Sequence, residues 1–423
     1  MLESMVEKEK VIRDSIHGDI QLSAIFSELI ETPELQRLYN IKQLGLAHLV
    51  FPGAHHTRLE HSLGAYHLAY KIADALNLDP YEKKLVGIAG LLHDVGHGPF
   101  SHTLESILKA TFGVDHVDLT EKLILGQYKV FFSDEIDVVS VDCISDVLKT
   151  HNIDPIEVVR LIRGEGCKKR YLCQILNSAI DVDQLDYIIR DGYYTGVAYG
   201  TIDIERYLHT LMIKDDNDLA ISKKGIGVVE SIFMARLLMY SSVYFHKTVR
   251  IAELMLSKAI ELLYGKEPFD FFKMTDYELI NDLKRFGSFQ NKIVTCLKYR
   301  KLFKQAYAAS SSELQQYQID KIKALESREI RFEKERQIEE SLNIPRGHVI
   351  IDVPQLEIHQ AEPRLDLTDI NIIDKDGSRQ IDTFSPITTA IKSRSIPDWI
   401  VMIITDEKYR DDVAKQAEHL LFS

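Results

Sequence analysis

Apolar residues at helical spacing are the feature of this 423-residue chain that most restricts its fold. They recur every three to four positions through most of the first 264 residues, which is the period of a helix with one buried face. The runs with this spacing are 27–44, 59–76, 81–92, 101–111, 116–125, 135–149, 155–163, 172–191 and 226–264. No alternation of strands with helices appears in the first 300 residues. We therefore expect a mainly α fold, a compact orthogonal core of short helices.

Both ends of the chain depart from the helical spacing. Residues 10–22 alternate between apolar and polar side chains and contain Gly18, which predicts a short hairpin or an extended arm. After Pro345 several stretches are strand-like, with a hairpin turn at Asp376-Gly377, and a final helix follows. The domains we expect are an N-terminal arm (1–26), a helical core (27–265), a helical extension (266–345) and a small α+β C-terminal lobe (346–423).

The charge balance argues against one broad class of function. With 64 acidic and 51 basic side chains the net charge is −13, so a non-specific nucleic-acid binder is not expected.

The N-terminus lacks the apolar segment of a signal peptide, and no run reaches the ~18 uninterrupted apolar residues of a membrane span. The four cysteines contain no CxxC pair, which argues against a zinc knuckle, and their small number fits a reducing compartment. Together these features predict a cytoplasmic protein. The mixed charges of residues 321–340 predict a solvated helix.

The stretch LLHDVGHGPFSHTLE, residues 91–105, concentrates titratable groups directly behind an apolar helix. His93 and Asp94 are adjacent, and at a frayed helix end both side chains can reach one ion. Imidazole and carboxylate together suit a hard or borderline divalent cation. Two ligands are too few for a metal site. Further ligands are available at His61 and at Asp183, a carboxylate within an otherwise apolar helix.

The pattern formed by His61, His93-Asp94 and Asp183 resembles the HD superfamily of metal-dependent phosphohydrolases. Longer strings resemble the deoxynucleoside triphosphate triphosphohydrolases of that superfamily: QRLYNIKQLGLAHLVFPGAHHTRLEHSLGAYHLA, LLHDVGHGPFSHTLE, DVDQLDYIIRDGYYTG and MYSSVYFHKTV. The resemblance covers about residues 10–246, with a weaker similarity in the C-terminal lobe. It implies an HD-domain helical core and hydrolysis of a deoxynucleoside triphosphate (dNTP) to deoxynucleoside and inorganic tripolyphosphate.

The resemblance also implies a metal site and groups that transfer protons. The metal ligands would be His61, His93, Asp94 and Asp183, holding a divalent cation (Mn, Mg, Fe or Zn). His102 matches the family's catalytic histidine and Glu105 its acidic partner, although aspartate is more usual there. These two residues lie at i and i+3 on one helix face, so the carboxylate can orient the imidazole. His116 matches a further active-site histidine.

Substrate contacts are implied in the same way. They comprise phosphate contacts from Arg58, Arg236, His246 and Lys247, sugar contacts from Gln43, Tyr187, Asp191 and Tyr244, and further contacts from Leu44, His97 and Tyr240. An aromatic ring packed on C2′ can exclude a 2′-hydroxyl, so Tyr244 is the expected source of selectivity for deoxynucleotides. Structural alternatives stay open, namely a salt bridge for Arg236 and core packing for Tyr187 and Tyr244.

Activated members of the family bind a guanine nucleotide between subunits. The corresponding residues here are Lys10, Val11, Glu31, Gln36 and Tyr39. Tyr39 stands where the family has an arginine, which argues against guanine-specific activation and leaves another activating nucleotide open. Gln184 stands where a phosphate-contacting lysine is common. The resemblance further implies a homo-oligomer, either a tetramer or a dimer.

Two other functions are compatible with these residues. The first is a different HD phosphohydrolase, such as a nucleotidase or a phosphodiesterase, although the strings around Tyr187 and Tyr244 favour the triphosphohydrolase. The second is a nucleotide-binding regulator that uses the HD core as a scaffold. A complete set of metal ligands and the His102–Glu105 pair argue against this second function.

Overall fold

The structure, a computed structural model, describes residues 10–133, 135, 138, 142–263, 271–354, 370–392 and 399–423, and for residues 102, 106, 108, 110–112, 389 and 392 it describes the backbone alone. The chain opens with the predicted hairpin, in which β1 (Lys10–Asp14) pairs antiparallel with β2 (Gly18–Leu22). Gly18 has a φ of 76°, and the Asp14 carboxylate accepts hydrogen bonds from the backbone N–H groups of residues 16 and 17. Local bonds of this kind close the turn.

A helical core follows the hairpin. Its helices are α1 (Ala24–Glu31), α2 (Pro33–Arg37), α3 (Arg58–Ala75), α4 (Pro80–Leu92), α5 (Ser101–Phe112), α6 (His116–Ile124), α7 (Ile144–Thr150), α8 (Pro155–Arg163), α9 (Arg170–Leu176) and α10 (Val182–Thr195). Local capping sets their starts: Thr57 and Glu60 form a capping box at α3, and Asp79 caps α4, which has Pro80 in its first turn. The expected mainly α fold with an α+β C-terminal region is confirmed.

Helices α3 and α4 pack against each other at the centre of this core. Leu59 and Leu92 are fully buried between the surrounding helices, and each such side chain stabilises the fold by about 1.5–3 kcal/mol. Two glycines permit the close packing. A Cβ atom at Gly90 would lie 3.1 Å from the backbone oxygen of Ala65, and one at Gly64 would lie 1.8 Å from Oδ1 of Asp186. Helices α3, α4 and α10 therefore converge where the HD stretch begins.

Two long helical runs of the sequence are broken in the structure. The predicted helix at 172–191 divides into α9 and α10 because Asp181 accepts a hydrogen bond from the Gln184 N–H (3.0 Å) and caps a new start. Helix α10 then continues past Gly192 and ends at Gly196, which has a φ of 74°. The predicted run at 135–149 contains α7 only near its end, and part of that run lies outside the described residues.

The run at 226–264 also divides. It forms α12 (Ile226–Met239), a π-helical turn (Tyr240–Tyr244) and α13 (Lys247–Glu261), the last capped by His246, whose Nδ1 accepts from the Thr248 N–H. By length and composition alone, the stretch Lys223–Tyr244 could cross a membrane. Because 56% of its apolar window is buried within the protein, as in an ordinary core helix, this is weak evidence for a membrane span.

The strands form two larger sheets. Strands β3 (Leu211–Lys214), β4 (Asp218–Ser222), β7 (Asn371–Asp374) and β8 (Gly377–Gln380) form one in the order β3-β4-β7-β8, and β5 (Lys304–Ala309), β6 (Val349–Asp352) and β9 (Val401–Thr405) form the other in the order β5-β9-β6. The turn at Asp376-Gly377 is confirmed. The β3-β4 hairpin was not predicted, and β5 lies inside the stretch expected to be helical. Ile372 of β7 is fully buried in the core that also contains α3, so the C-terminal strands complete that core.

Seven further helices complete the described chain. They are α11 (Ile204–Thr210), α14 (Asp276–Phe286), α15 (Ser288–Lys298), α16 (Gln316–Ala324), α17 (Arg328–Ser341), α18 (Pro386–Lys392) and α19 (Arg410–Phe422). Two of them, α17 and α19, pack against the β5-β9-β6 sheet. The prediction of a solvated helix at 321–340 is wrong for two carboxylates of α17. Glu335 accepts from the Ile351 N–H (2.9 Å) and Glu339 from the Val349 N–H (3.0 Å), and both glutamates are buried. They satisfy the outer N–H groups of edge strand β6.

The four cysteines do not behave alike. Cys167 and Cys173 form a disulfide across the connection between α8 and α9, whereas Cys143 and Cys296 are free thiols. The six-residue spacing of the bonded pair is not a recognisable sequence pattern, and the sequence analysis did not predict it.

Candidate active site

The expected metal ligands come together from three helices. His61 lies in α3, His93 follows the last turn of α4, and Asp183 lies in the first turn of α10. The His61 Nε2 atom is 3.2 Å from both His93 Nε2 and Asp183 Oδ1, and His93 Nε2 is 3.6 Å from Asp183 Oδ1. One donor atom from each of these residues therefore lies within 4.8 Å of the others, a spacing at which one ion could be held.

Asp94 borders this group. Its Oδ1 lies 3.3 Å from His93 Nε2, and its Oδ2 lies 3.8 Å from His61 Nε2. Arg58, in the first turn of α3, donates from Nη1 to Asp94 Oδ2 over 2.6 Å, and its side chain is almost fully buried. The structure thus brings the four expected ligands into one place and holds Asp94 by a charged hydrogen bond.

Each histidine of the group is fixed through its second ring nitrogen. His61 Nδ1 lies 2.8 Å from Asp186 Oδ2, and His93 Nδ1 lies 2.8 Å from the backbone oxygen of Gly90. Acceptors at Nδ1 leave Nε2 of each ring directed towards the other donors, as is usual for metal-bound histidine. Two imidazoles and one or two carboxylates suit a divalent metal, so the residues present fit the cofactor that the sequence implies.

Buried charges behind His61 form a network that the sequence analysis missed. Asp186 Oδ1 lies 2.7 Å from His17 Nε2, and Asp186 Oδ2 accepts from Arg190 Nε over 2.8 Å. Arg190 also donates from Nη1 to Asp14 Oδ2 over 2.8 Å, and the side chains of Asp186 and Arg190 are fully buried. The N-terminal hairpin therefore supports His61, one of the expected metal ligands, through Arg190 and Asp186. The only signal in the sequence was an Asp and an Arg four residues apart in an apolar helix.

Electrostatics within the group favour charged forms of its members. Burial would raise the pKa of Asp183, but hydrogen bonds with His61 and His93 outweigh it and hold the pKa well below its usual range. Burial would lower the pKa of His61, but hydrogen bonds to Asp183 and Asp186 raise the pKa to about 10. The lowered pKa of Asp183 favours the ionised carboxylate, which is the form in which an aspartate binds a metal.

A cavity of about 230 Å³ opens beside the metal group. The expected site residues that line it are Gln43, Leu44, Arg58, Asp94, His97, Glu105, His116, Asp183, Tyr187, Asp191, Tyr240 and Tyr244. The π-helical turn supplies both Tyr240 and Tyr244 to its wall, as π turns often do at functional sites. Lys109, Arg250 and Glu253 also line it and were not singled out in the sequence.

Three expected phosphate contacts, Arg236, His246 and Lys247, are not among the residues that line this cavity. Arg236 is buried and donates from Nη1 to the backbone oxygen of Ala179 (3.1 Å) and to Gln184 Oε1 (3.0 Å). His246 caps α13, and Lys247 begins that helix. The structure therefore places Arg236 against Gln184, the residue that follows Asp183 in α10.

The tyrosines form one corner of the cavity. The Tyr244 hydroxyl donates to Asp191 Oδ2 over 2.7 Å, and Asp191 Oδ1 lies 2.7 Å from Nε2 of His56. The ring of Tyr244 meets Tyr187 and Tyr240 edge-on, at centroid distances of 5.9 and 4.9 Å. His56 was not predicted. These contacts give the Tyr244 ring one orientation.

Glu105 contacts His116. The Glu105 Oε1 atom lies 2.9 Å from His116 Nδ1 and accepts from the His116 backbone N–H over 3.0 Å. Burial would lower the pKa of His116, but the Glu105 charge raises it above the usual value. Burial would raise the pKa of Glu105, but His116 lowers it to about 2. The expected partner of Glu105 was His102, whose side chain lies outside the described residues.

The turn that carries His97 is held by residues distant in the sequence. Arg37 donates from Nη2 to the backbone oxygens of Val95 (3.1 Å) and His97 (2.7 Å). Phe100, the residue before α5, has a φ of 47°, and its N–H donates to Asp276 Oδ1 over 3.0 Å. A left-handed backbone costs roughly 1–2 kcal/mol in a residue with a Cβ, so these contacts must hold the turn.

Three of the residues expected at an activating site, Lys10, Glu31 and Gln36, lie close together. Lys10 of β1 forms an ion pair with Glu31 of α1. Gln36 donates to the backbone oxygen of Ile30 over 2.8 Å, while Val11 and Tyr39 are exposed by 57% and 47%. The structure therefore brings Lys10 and Gln36 to the end of α1, where Glu31 lies.

Comparison with known proteins places these residues in context. The family model described as "HD domain" matches residues 58–191, and the one described as "HD associated region" matches residues 202–422. An uncharacterized protein of Methanocaldococcus jannaschii is 33% identical over 397 residues, which cover 93% of this chain and 78% of that protein. The crystal structure of a phosphohydrolase from Bacteroides thetaiotaomicron has a TM-score of 0.71 at 26% identity, covering 94% of this chain and 100% of that one.

A relative whose name describes an activity matches a smaller part of this chain than the Methanocaldococcus jannaschii protein does. The deoxynucleoside triphosphate triphosphohydrolase SAMHD1 homolog of Dictyostelium discoideum is 32% identical over 303 residues. The match covers 68% of this chain and 54% of that protein, so the chain spans about half the length of that relative.

Proposed function

Because this chain belongs to the HD-domain phosphohydrolases, we propose that it hydrolyses dNTPs to deoxynucleoside and inorganic tripolyphosphate. One observation carries the proposal: two of the metal donors, Asp94 and Asp183, line the same cavity as the Asp191–Tyr244 corner. A phosphate at the donors would place an attached sugar against the tyrosines. The named SAMHD1 relative supports the same substrate class.

The metal-binding residues in this proposal are His61, His93, Asp94 and Asp183. A divalent cation held by them supplies Lewis-acid polarisation of a phosphoryl oxygen and an activated water. The protein's own contribution is to fix the donors: Asp186 and the Gly90 carbonyl orient the imidazoles, and Arg58 holds Asp94. Arg58 also faces the cavity and can neutralise phosphate charge.

Proton donation to the departing 5′ oxygen is assigned to the histidines beside α5. The Glu105 carboxylate binds His116 Nδ1, so a protonated His116 directs its Nε2–H away from Glu105. His102 is the second proposed proton donor, from its position one turn before Glu105 on the same helix. His97, stacked on His116 at 4.0 Å, is proposed to contact the phosphates.

Selectivity for the deoxyribose is assigned to Tyr244. Its hydroxyl is bound to Asp191 and its ring is braced by Tyr187, so the ring cannot turn aside without losing both contacts. A ring held against C2′ leaves no space for a 2′-hydroxyl. Gln43, Leu44 and Tyr240 complete the wall around the sugar in this proposal. Arg236, His246 and Lys247 are proposed to act through the elements they position.

Product analysis tests the function. The purified chain is incubated with Mn²⁺ and each dNTP or NTP, singly and in mixtures, and the products are separated by anion-exchange chromatography. Tripolyphosphate together with deoxynucleoside is the expected result. Release of orthophosphate or pyrophosphate instead would identify a different HD phosphohydrolase. Nucleotide binding without turnover or bound metal would identify a regulator.

Activation and assembly belong to the same proposal. We propose that the surface formed by Lys10, Val11, Glu31, Gln36 and Tyr39 binds an activating nucleotide and that the chain forms a homo-oligomer, a tetramer or a dimer. Tyr39 offers a ring for stacking where an arginine would read guanine. Light scattering with and without each nucleotide, compared with mixed-substrate rates, tests both parts. A monomer whose rate is independent of a second nucleotide would contradict them.

A further inference from the structure

His56 lies behind the wall of the cavity, in the loop that leads into α3. Its side chain is fully buried and is not among those that line the cavity, whereas Asp191, which it contacts, does line it. The Nε2 atom of His56 lies 2.7 Å from Oδ1 of Asp191. His56 can therefore act on a ligand in the cavity only through the residues that it holds.

The surroundings of the His56 ring decide which of its nitrogens donates. Nδ1 is buried and has no hydrogen-bond partner among the described residues, while Nε2 faces a carboxylate oxygen. A neutral imidazole carries one N–H, and only a proton on Nε2 meets an acceptor here. We therefore assign the proton to Nε2, so that His56 donates to Asp191 Oδ1.

The ring of His56 is held in place by two helices. It stacks on the ring of Tyr194 in α10, with 4.5 Å between centroids and 15° between planes. The Tyr194 hydroxyl donates to Glu60 Oε1 over 2.9 Å, and Glu60 belongs to the capping box that begins α3. The backbone oxygen of His56 accepts from the N–H of Gln43 over 3.0 Å. The orientation of the donor is therefore built into the fold and does not depend on a ligand.

Both oxygens of Asp191 are held by donors. Oδ1 accepts from His56, and Oδ2 accepts from the Tyr244 hydroxyl over 2.7 Å. A carboxylate held in this way cannot rotate about its Cβ–Cγ bond without breaking a hydrogen bond. Each oxygen of an ionised carboxylate has a further lone pair, so Asp191 can still accept a hydrogen bond from the cavity that it lines.

We propose that His56 is a positioning residue, which fixes Asp191 to accept a hydrogen bond from the sugar hydroxyl of the substrate. The inference rests on the proposed function, because it takes a dNTP as the ligand. When the 5′ oxygen carries phosphate, a deoxyribose has one free hydroxyl, at C3′. A fixed acceptor discriminates against a sugar that lacks this hydroxyl. His56 thus acts on the 3′ position, whereas the role assigned to Tyr244 concerns the 2′ position.

Two amides of different reach test the inference at position 56. In His56→Gln the amide nitrogen extends close to the position of Nε2, but in His56→Asn it extends only to that of Nδ1. Metal-depleted full-length protein, which prevents turnover, is titrated calorimetrically with dATP and with 2′,3′-dideoxyadenosine triphosphate (ddATP). We expect the wild type and His56→Gln to bind dATP about 10-fold or more tightly than ddATP, as for a hydrogen bond to a charged group. His56→Asn should bind the two nucleotides alike.

The ratio of the two affinities separates positioning from a general effect on the fold. A distorted cavity weakens both nucleotides and leaves the ratio unchanged. His56→Phe keeps a ring on Tyr194 without a donor, so it should lose the ratio as His56→Asn does, with less change in packing. His209→Phe, at an exposed histidine, is the matched control and keeps the wild-type ratio. Circular dichroism verifies that each variant is folded.

The outcomes separate this inference from the proposed function. Equal affinities for dATP and ddATP in the wild type overturn the inference, and so does a wild-type ratio in both His56→Asn and His56→Phe. A ratio that is lost in His56→Gln as well shows that the donor does not position Asp191, which also overturns it. A wild type that favours dATP but releases no tripolyphosphate from it with Mn²⁺ contradicts the proposed function and leaves the role of His56 standing.

Discussion

The Nδ1 atom of His61 lies 2.8 Å from Oδ2 of Asp186, and this contact joins the metal donors to the buried charges behind them. Asp186 also binds Arg190 and His17, and Arg190 binds Asp14 of the N-terminal hairpin. The geometry of His61, a proposed metal ligand, is therefore set partly by residues near the start of the described chain. A substitution in the hairpin can therefore alter the position of His61 through the contacts of Asp14, Arg190 and Asp186.

Replacing Asp186 should weaken metal binding without removing a metal donor. Asp186→Asn keeps the size of the side chain but removes the charge that orients His61 and pairs with Arg190. We expect Mn²⁺ affinity to fall about 10–100-fold and the free energy of unfolding to fall by about 3–5 kcal/mol, because Arg190 loses a buried partner. Calorimetric titration and urea denaturation measure the two effects.

The matched control for Asp186 is Glu340→Gln, which removes the acidic partner of an exposed i,i+4 pair with Arg336. Solvent screens that pair, so neither quantity should change. Unchanged Mn²⁺ affinity in Asp186→Asn would show that Asp186 does not position His61.

Removing a metal donor should have a larger effect. Asp183→Ala takes away the carboxylate that lies within 3.6 Å of both His61 and His93. We expect the Mn²⁺ affinity to fall by more than about 100-fold, beyond the range for loss of a supporting residue, and turnover to be lost. Substoichiometric Mn²⁺ titration and product release measure these effects, with the exposed Asp216→Ala as control. Retained Mn²⁺ binding would remove Asp183 from the ligand set.

Removing the proposed acid should separate metal binding from turnover. His102→Ala is expected to keep the wild-type metal content and to lose about 10²–10⁴-fold in kcat, the usual contribution of a general acid. Single-turnover release of tripolyphosphate, measured beside His209→Ala, gives the rate. A kcat close to that of the wild type would assign proton donation to His116 alone.

Two substitutions at one position test the assignment of sugar selectivity. Tyr244→Ala removes the ring, so the ratio of NTP to dNTP hydrolysis should rise by about 10-fold or more. Tyr244→Phe loses only the hydroxyl that binds Asp191, so discrimination against the 2′-hydroxyl should be largely retained. Competition assays with paired dATP and ATP measure the ratio. Equal ratios in both variants would exclude the ring as the selective element.

The buried carboxylates of α17 predict a pH effect on stability. Burial raises the pKa of Glu339 from 4.5 to about 7. The pKa of Glu339 is higher in the folded protein than in the unfolded chain. Its contribution to the free energy of unfolding is therefore fully present below about pH 4.5 and is lost as the pH rises through 7. Glu339→Gln can still accept from the Val349 N–H, so its melting temperature should exceed that of the wild type at pH 8 by about 1–3 °C and match it near pH 4.

The neighbouring exposed Glu340→Gln provides the control for this measurement. Its melting temperature should follow the wild type at both pH values, because its carboxylate is solvated in the folded and unfolded states alike. A Glu339→Gln variant with the same pH profile as the wild type would mean that Glu339 titrates normally.

The sequence predicts best what neighbouring residues decide. Helix α4 begins at Asp79-Pro80 and ends where His93-Asp94 follows, and the hairpin turn at Asp376-Gly377 lies where the dipeptide indicates. Hydrogen bonds over three or four residues control such features. The same local reasoning failed at residues 172–191, where Asp181 caps a new helix inside a run with continuous helical spacing.

Reasoning from neighbouring residues could not predict which distant segments of the chain pair with each other. Strand β4 pairs in parallel with β7 about 150 residues later, and Glu335 and Glu339 are buried against β6 although their helix is highly charged. A pattern of charges shows the polar face of a helix. It does not show which edge strand needs an acceptor on that face.

For the site, the sequence alone determined the kinds of donors and their positions at helix ends, because adjacency in HD and helical spacing are local properties. Only the tertiary structure decided that Asp186 supports His61, that Glu105 contacts His116, and that His56 lies against Asp191. These contacts depend on how α3, α4, α5 and α10 pack. Packing is set by the fit of buried surfaces far apart in the chain, which no short stretch of sequence contains.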